Sequence, residues 1–142
     1  MPRLVLLLLF VSAGCEARPR EPSRTFAVAG TMQIDLPVAT EATRLGEQSL
    51  FTLEPEVRTP RQISVLERDP GTTPGRVRLE SPGGSGGTEY ELRVTVERCG
   101  AVLEIRCSLQ SEDGWPSMKW CERAIASLRC GEAGGRGGSP DT

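Results

Sequence analysis

From Tyr90 to Leu109 the apolar side chains fall on every second residue, twice over. Tyr90, Leu92, Val94 and Val96 alternate with Glu91, Arg93, Thr95 and Glu97. After a turn at Gly100, Leu103, Ile105, Cys107 and Leu109 repeat the pattern. A period of two over this length marks a strand with one face in a core and the other in water. Leu92, Val94 and Val96 are therefore expected inward, and Glu91, Arg93, Thr95 and Glu97 outward.

Shorter runs of the same kind come earlier. Met32, Ile34 and Leu36 alternate and stop at Pro37; Phe51 and Leu53 stop at Pro55; Ile63 with Val65, and Val77 with Leu79, mark two more strands. Asp69-Pro70-Gly71 reads as a turn, and Ser81 to Gly87 as a flexible connection. The stretch from Pro37 to Gly46 has no clear period. After Gly114 the period lengthens: Met118, Cys121, Ile125 and Leu128 line one helical face, with Pro116 suited to the first turn and Gly131 to the position past the end. The expected fold is α+β, a small antiparallel meander of about six strands covered by a C-terminal amphipathic helix.

The N-terminus has the layout of a secretory signal. A positive start containing Arg3 leads into the apolar run from Leu4 to Val11 and then into small residues. That run is far shorter than the roughly 20 residues a spanning helix needs. Residues 1–14 are read as the signal, 15–25 as a polar tether, 26–131 as one domain, and 132–142 as a disordered Gly-rich tail.

Setting Cys15 aside leaves Cys99, Cys107, Cys121 and Cys130. An even count in an exported chain reads as two disulfides. With Cys121 and Cys130 on one helix, about 13.5 Å apart along its axis, they are too far apart to bond. Two pairings remain: 107–121 with 99–130 is favoured, and 99–121 with 107–130 is the alternative. A Cys₄ metal site would need closely spaced ligand pairs, which are absent.

Little points to catalysis or to a cofactor. The sequence has no His, which removes the commonest general base and metal ligand. Ser85 sits in a formal G-x-S-x-G, but no helix follows it and no base is available. Glu54 with Glu56, and Glu89 with Glu91, share strand faces and read as wet sides. Trp115 and Trp120 read as core edges, and Lys119 as solvated. A net charge of -2 gives no footprint for nucleic acid.

Two resemblances add to this reading. Ser12-Ala13-Gly14-Cys15 resembles the lipobox of bacterial lipoproteins, although Ser12 stands where that family usually has Leu. The resemblance implies that Cys15 carries the lipid. It also implies, because Glu16 rather than Asp follows, an outer-membrane anchor facing the periplasm. The strand ending Ile34-Asp35-Leu36-Pro37 and the helix end Ile125-Ala126-Ser127-Leu128 resemble small periplasmic lipoproteins of the PsbP-like fold. Within these, the chain is most similar to immunity lipoproteins that protect against type VI secretion effectors. That implies a non-catalytic module binding a secreted effector or an envelope protein. The strand alternation makes Glu91, Arg93 and Glu97 the candidate contact residues, on an acidic sheet face to which Glu54, Glu56 and Asp69 add if their loops lie on that side. The alternative is a structural or assembly accessory lipoprotein without one tight partner. Replacement Cys15→Ser is expected to abolish metabolic labelling with a clickable fatty acid; persistent labelling overturns the lipid assignment.

Overall fold

The computed structural model describes residues 21–84 and 87–131. Cys15, the expected signal, Ser85 and the expected tail lie outside the described residues. The chain runs β1 (Ser23–Val28), β2 (Met32–Pro37), β3 (Glu41–Leu45), β4 (Gln48–Thr52), β5 (Gln62–Arg68), β6 (Gly75–Pro82), β7 (Thr88–Arg98), β8 (Ala101–Ser111), α1 (Lys119–Ser127) and β9 (Arg129–Cys130).

The hairpin read from the alternation is the centre of the larger sheet. Strands β7 and β8 pair along their whole length, from Thr88↔Ser111 to Arg98↔Ala101, with Leu92 opposite Cys107 and Val94 opposite Ile105. The turn is Cys99-Gly100, and both residues have positive φ, 56° and 74°. A two-residue turn that follows the twist of its strands requires this at both positions. Strand β5 adds to the free edge of β8, Ile63 facing Cys107 and Val65 facing Ile105. The full order is β3-β4-β5-β8-β7-β6. Two three-stranded meanders are thus joined through β5 and β8, and the connection 69–74 crosses the end of the central hairpin.

The smaller sheet has the order β1-β2-β9. Its buried side chains are Phe26, Val28, Met32, Ile34 and Leu36. They belong to one apolar cluster with Phe51, Ile63, Val65, Leu92 and Ile105 of the larger sheet and with Trp120, Cys121, Ala124 and Ile125 of the helix. Phe26 meets Phe51 edge-on with ring centroids 5.5 Å apart, one direct contact between the sheets.

The expected α+β architecture is corrected here. The domain is mostly β: nine strands in two sheets of three and six, with one nine-residue helix among the described residues. Three strands carried no usable signal. All five residues of β3 are exposed, so its sequence has no apolar alternation. Strand β9 is two residues long and exists only because Met32 and Gln33 pair with it. Strand β1 buries two of its six residues. Strand β2 leaves the expected meander and pairs with β1 and β9 instead.

The helix also stops earlier than its periodicity suggests. Leu128 takes extended angles, φ -59° and ψ 123°, and the next residues become a strand. Gly131 serves a different purpose from a helix terminator. A Cβ there would sit 2.1 Å from the Thr31 carbonyl oxygen, so only glycine lets the two backbones approach.

Cys107 on β8 bonds Cys121 on α1, and Cys99 in the hairpin turn bonds Cys130 on β9, with Cα separations of 6.0 and 5.5 Å. These are the favoured pairs, although Cys130 lies beyond the helix and not within it. The two bonds differ in burial: Cys107 and Cys121 are fully buried, whereas Cys99 and Cys130 are exposed. A mild thiol reductant added to the native protein should therefore open 99–130 first and leave 107–121 intact until unfolding, as read by alkylation and mass spectrometry. Replacing both Cys99 and Cys130 by Ser should cost about 2–4 kcal/mol in a urea titration.

Candidate functional site

The register of the larger sheet decides which side chains share its outer face. Strand β7 contributes Glu91, Arg93, Thr95 and Glu97; β8 contributes Glu104, Arg106 and Ser108; β5 contributes Ser64, Leu66 and Arg68. The edge strand β6 adds Val77 and Leu79, opposite Arg93 and Glu91. The inner face of the same strands is the core, so the alternation that buries Leu92 and Ile105 also delivers this polar set to one surface.

At its centre lies a carboxylate that the sequence alone did not single out. Glu104 is only 3% exposed. Arg106 Nε donates to its Oε1 at 2.7 Å, Arg68 Nε donates to its Oε2, and Arg93 Nε lies 3.2 Å from Oε1 as an ion-pair contact. Arg93 also donates from Nη2 to Glu91 Oε2 at 2.8 Å. Burial pushes the Glu104 carboxyl up, but hydrogen bonds from Arg106 and Arg68, together with their charges, outweigh burial and hold it below its ordinary value. Glu104 is therefore an ionised hub that fixes three guanidinium groups in place while each stays part-exposed.

This composition corrects the expectation of an acidic face. The centre holds three arginines, and Glu91 and Glu104 are engaged by them. Glu97 and Glu89 remain on the rim without ion pairs among the described residues. Glu54 is paired with Arg61. The signal for the missed residues was present in β8, where Glu104 and Arg106 alternate with Leu103, Ile105 and Cys107. What the sequence does not carry is that Arg68 and Arg93, from other strands, converge on Glu104.

The remaining candidates are placed as follows. Trp115 packs edge-on against Tyr90, centroids 4.9 Å apart, with Arg78 over its ring. Trp120 is buried in the core and has Arg61 over its ring. Lys119 is exposed at the helix start. No group of three His, Cys, Asp or Glu side chains suited to a metal occurs among the described residues. The carboxylates follow their arginines and do not converge on a cleft.

A second polar cluster closes the smaller sheet. The Asp35 backbone N–H donates to Ser127 Oγ at 2.9 Å. Arg129 reaches both Asp35 carboxylate oxygens, at 2.9 and 3.1 Å, and Thr25 Oγ1 donates to Oδ1 at 2.7 Å. Hydrogen bonds from Arg129 and then Thr25 hold the Asp35 carboxyl below its ordinary value, against the smaller opposing effect of burial. The Ile-Asp-Leu-Pro strand and the Ile-x-Ser-Leu helix end are thus in direct contact. The model of the type six secretion immunity 3 domain (Tsi3) matches residues 33–129. Those limits are meaningful in the fold, because Gln33 and Arg129 are register partners across β2 and β9.

The chain belongs to the type six secretion immunity 3 family.

The Tsi3 match thus encloses the six-stranded sheet, its outer face and the helix. No curated protein matches the chain. A crystal structure from Bacteroides thetaiotaomicron VPI-5482 shares the fold, with TM-score 0.50 and 15% identity over 75% of this chain. The chain spans about half of that one, 47% of its length.

Replacing Glu104 by Gln leaves three arginines without their shared carboxylate. It should cost about 1–3 kcal/mol, less than for a fully buried pair because the arginines are part-exposed. The sign with pH follows from the lowered carboxyl. Its contribution is complete above the ordinary glutamate value of about 4.3 and is lost as pH falls through the still lower folded value. Urea titrations between neutral and acid pH should show a shallower acid loss of stability in Glu104→Gln than in the parent.

Proposed function

We propose that this protein is an immunity lipoprotein that neutralises a type VI effector by binding it with the outer face of the six-stranded sheet. The observation that carries the reading is the family match over residues 33–129. In this reading Cys15 bears the lipid, and the domain stands in the periplasm on the outer membrane, tethered by the short polar segment ahead of β1. The lipobox-like Ser12-Ala13-Gly14-Cys15 and the residue Glu16 support that placement.

Binding rather than turnover fits the chemistry of the chain, which has no His and whose central carboxylates are occupied by arginines. The composition of the face supports its role. Interface centres are enriched in arginine and depleted in lysine and free carboxylate. Arg93 and Arg106 are held rigid by Glu104, with Leu66, Val77 and Leu79 beside them, so little side-chain freedom is lost on docking. The unpaired rim carboxylates Glu89 and Glu97 would speed the approach of a basic surface, a contribution that fades with salt.

Competition with an isogenic type VI-armed parent tests this directly. Deleting the gene should sensitise the recipient to its sister cells, and the intact gene should restore protection. A copy carrying Glu89→Lys and Glu97→Lys, on the rim outside the Glu104 cluster, should accumulate normally yet protect at least about tenfold less. Equal survival of the deletion strain overturns the immunity reading. Full protection by the double variant moves the interface off this face.

A further inference from the structure

Strand β6 is the longest edge strand among the described residues. All eight of its residues are exposed, and among the described residues its only neighbouring strand is β7. Two of the five exposed large apolar side chains among the described residues, Val77 at 51% and Leu79 at 37%, sit on it. Folded proteins usually blunt such an edge with a bulge, an internal proline, a very short strand or charged side chains; the charges of β6 are of both signs and so can be matched by a partner of the right register. Here Pro74 and Pro82 only frame it, and the run between them pairs with β7 without interruption.

Its charge order is selective for one kind of partner. Val77, Leu79 and Ser81 face outward, opposite Arg93, Glu91 and Glu89; Arg76, Arg78 and Glu80 face the helix side, opposite Val94, Leu92 and Tyr90. Glu80 has no ion pair among the described residues, and Arg78 has only the Trp115 ring beneath it. Two antiparallel copies of β6, related by a two-fold axis normal to the sheet, oppose residues of the same face. Centring that axis on Arg78 sets Arg78 against itself, and although it also brings Arg76 opposite Glu80, Arg76 is already held by Glu122 of the helix. Centring on Val77 sets Arg76 against Arg78, and centring on Glu80 sets Glu80 against itself; each opposes like charges, which destabilises a strand pair. Centring on Leu79 alone opposes Arg78 with Glu80 twice, Leu79 with Leu79, and Val77 with Ser81 twice. The other edge, β3, offers no such match, because Glu41 and Arg44 lie on opposite faces.

We propose that β6 pairs with β6 of a second copy of this chain, antiparallel and centred on Leu79, joining two six-stranded sheets into one. The pairing leaves the arginine-centred outer faces side by side on the same surface of the extended sheet. It is independent of which protein those faces bind. Confinement of a lipid-anchored chain to one membrane would raise the effective concentration that drives the pairing.

Disulfide trapping of the full chain in the envelope tests the register. With the four domain cysteines bonded, Leu79→Cys places one new thiol directly opposite its copy and should yield a disulfide-linked dimer on a non-reducing gel. Val77→Cys, which faces Ser81 of the second copy, should yield at least about fivefold less. Adding Glu80→Lys to Leu79→Cys should reduce the linked dimer about tenfold, and the swap R78E/E80K in the same background should restore it. These positions are exposed, so equal accumulation of each variant reports intact folding. A monomeric Leu79→Cys, equal linkage from Val77→Cys, or no effect of Glu80→Lys overturns the proposal. So does a linked band at the mass of a different protein, which would assign the edge to another partner.

Discussion

The bond between Cys107 and Cys121 joins the two layers of the domain at its driest point. Cys107 lies in β8, which with β5 forms the joint between the two meanders, and Cys121 lies on the buried side of a helix too short to hold its place by propensity. Aromatic residues make up only 4% of the chain, so Val, Leu and Ile supply much of the core around this seam, with Phe26, Phe51, Tyr90 and Trp120 among them. The smaller sheet depends on it in turn. Strand β9 begins two residues after the helix ends and is held against β2 by Arg129 on Asp35 and by the Cys99–Cys130 bond as well as by the placing of the helix.

The outer face follows from the same strands. Burying Leu103, Ile105 and Cys107 commits the intervening Glu104 and Arg106 to the opposite side. A carboxylate that is 3% exposed on an otherwise open sheet would be costly if it stood alone. Three arginines from three adjacent strands remove that cost, and the cluster stiffens the middle of a surface that no other element covers among the described residues. The result is a face with a rigid basic centre, apolar flanks and an acidic rim.

The elements legible in the sequence are those whose burial is decided locally. Strands β7 and β8 announce themselves because every second residue meets the core. The outward placement of Glu91, Arg93, Thr95 and Glu97 follows from the same count. The disulfide pairs are reachable from spacing, although the helical period that suggests Cys130 lies on α1 breaks at Leu128. What escaped is set by contacts between distant residues. The exposed β3 has no apolar rhythm, and the two residues of β9 become a strand only opposite Met32 and Gln33. Removing β2 from the expected meander and giving it a sheet of its own changes the fold class, although the residues of β2 were read correctly as a strand. Glu104 was passed over because nothing near it in sequence reveals the approach of Arg68 and Arg93.

The two disulfides are nested: the link 107–121 lies inside the span 99–130. All the covalent ties therefore fall in the last third of the chain, and β1 to β6 carry none. When the oxidised protein unfolds, its denatured ensemble is lopsided. The N-terminal part becomes a free coil, while the turn, β8 and the helix remain folded back on themselves in two small loops. Contacts that are distant in sequence, such as those of β9 with the hairpin turn, are brought close before refolding starts. The search left to the chain is then for β5 to find the edge of β8 and for β2 to find β9.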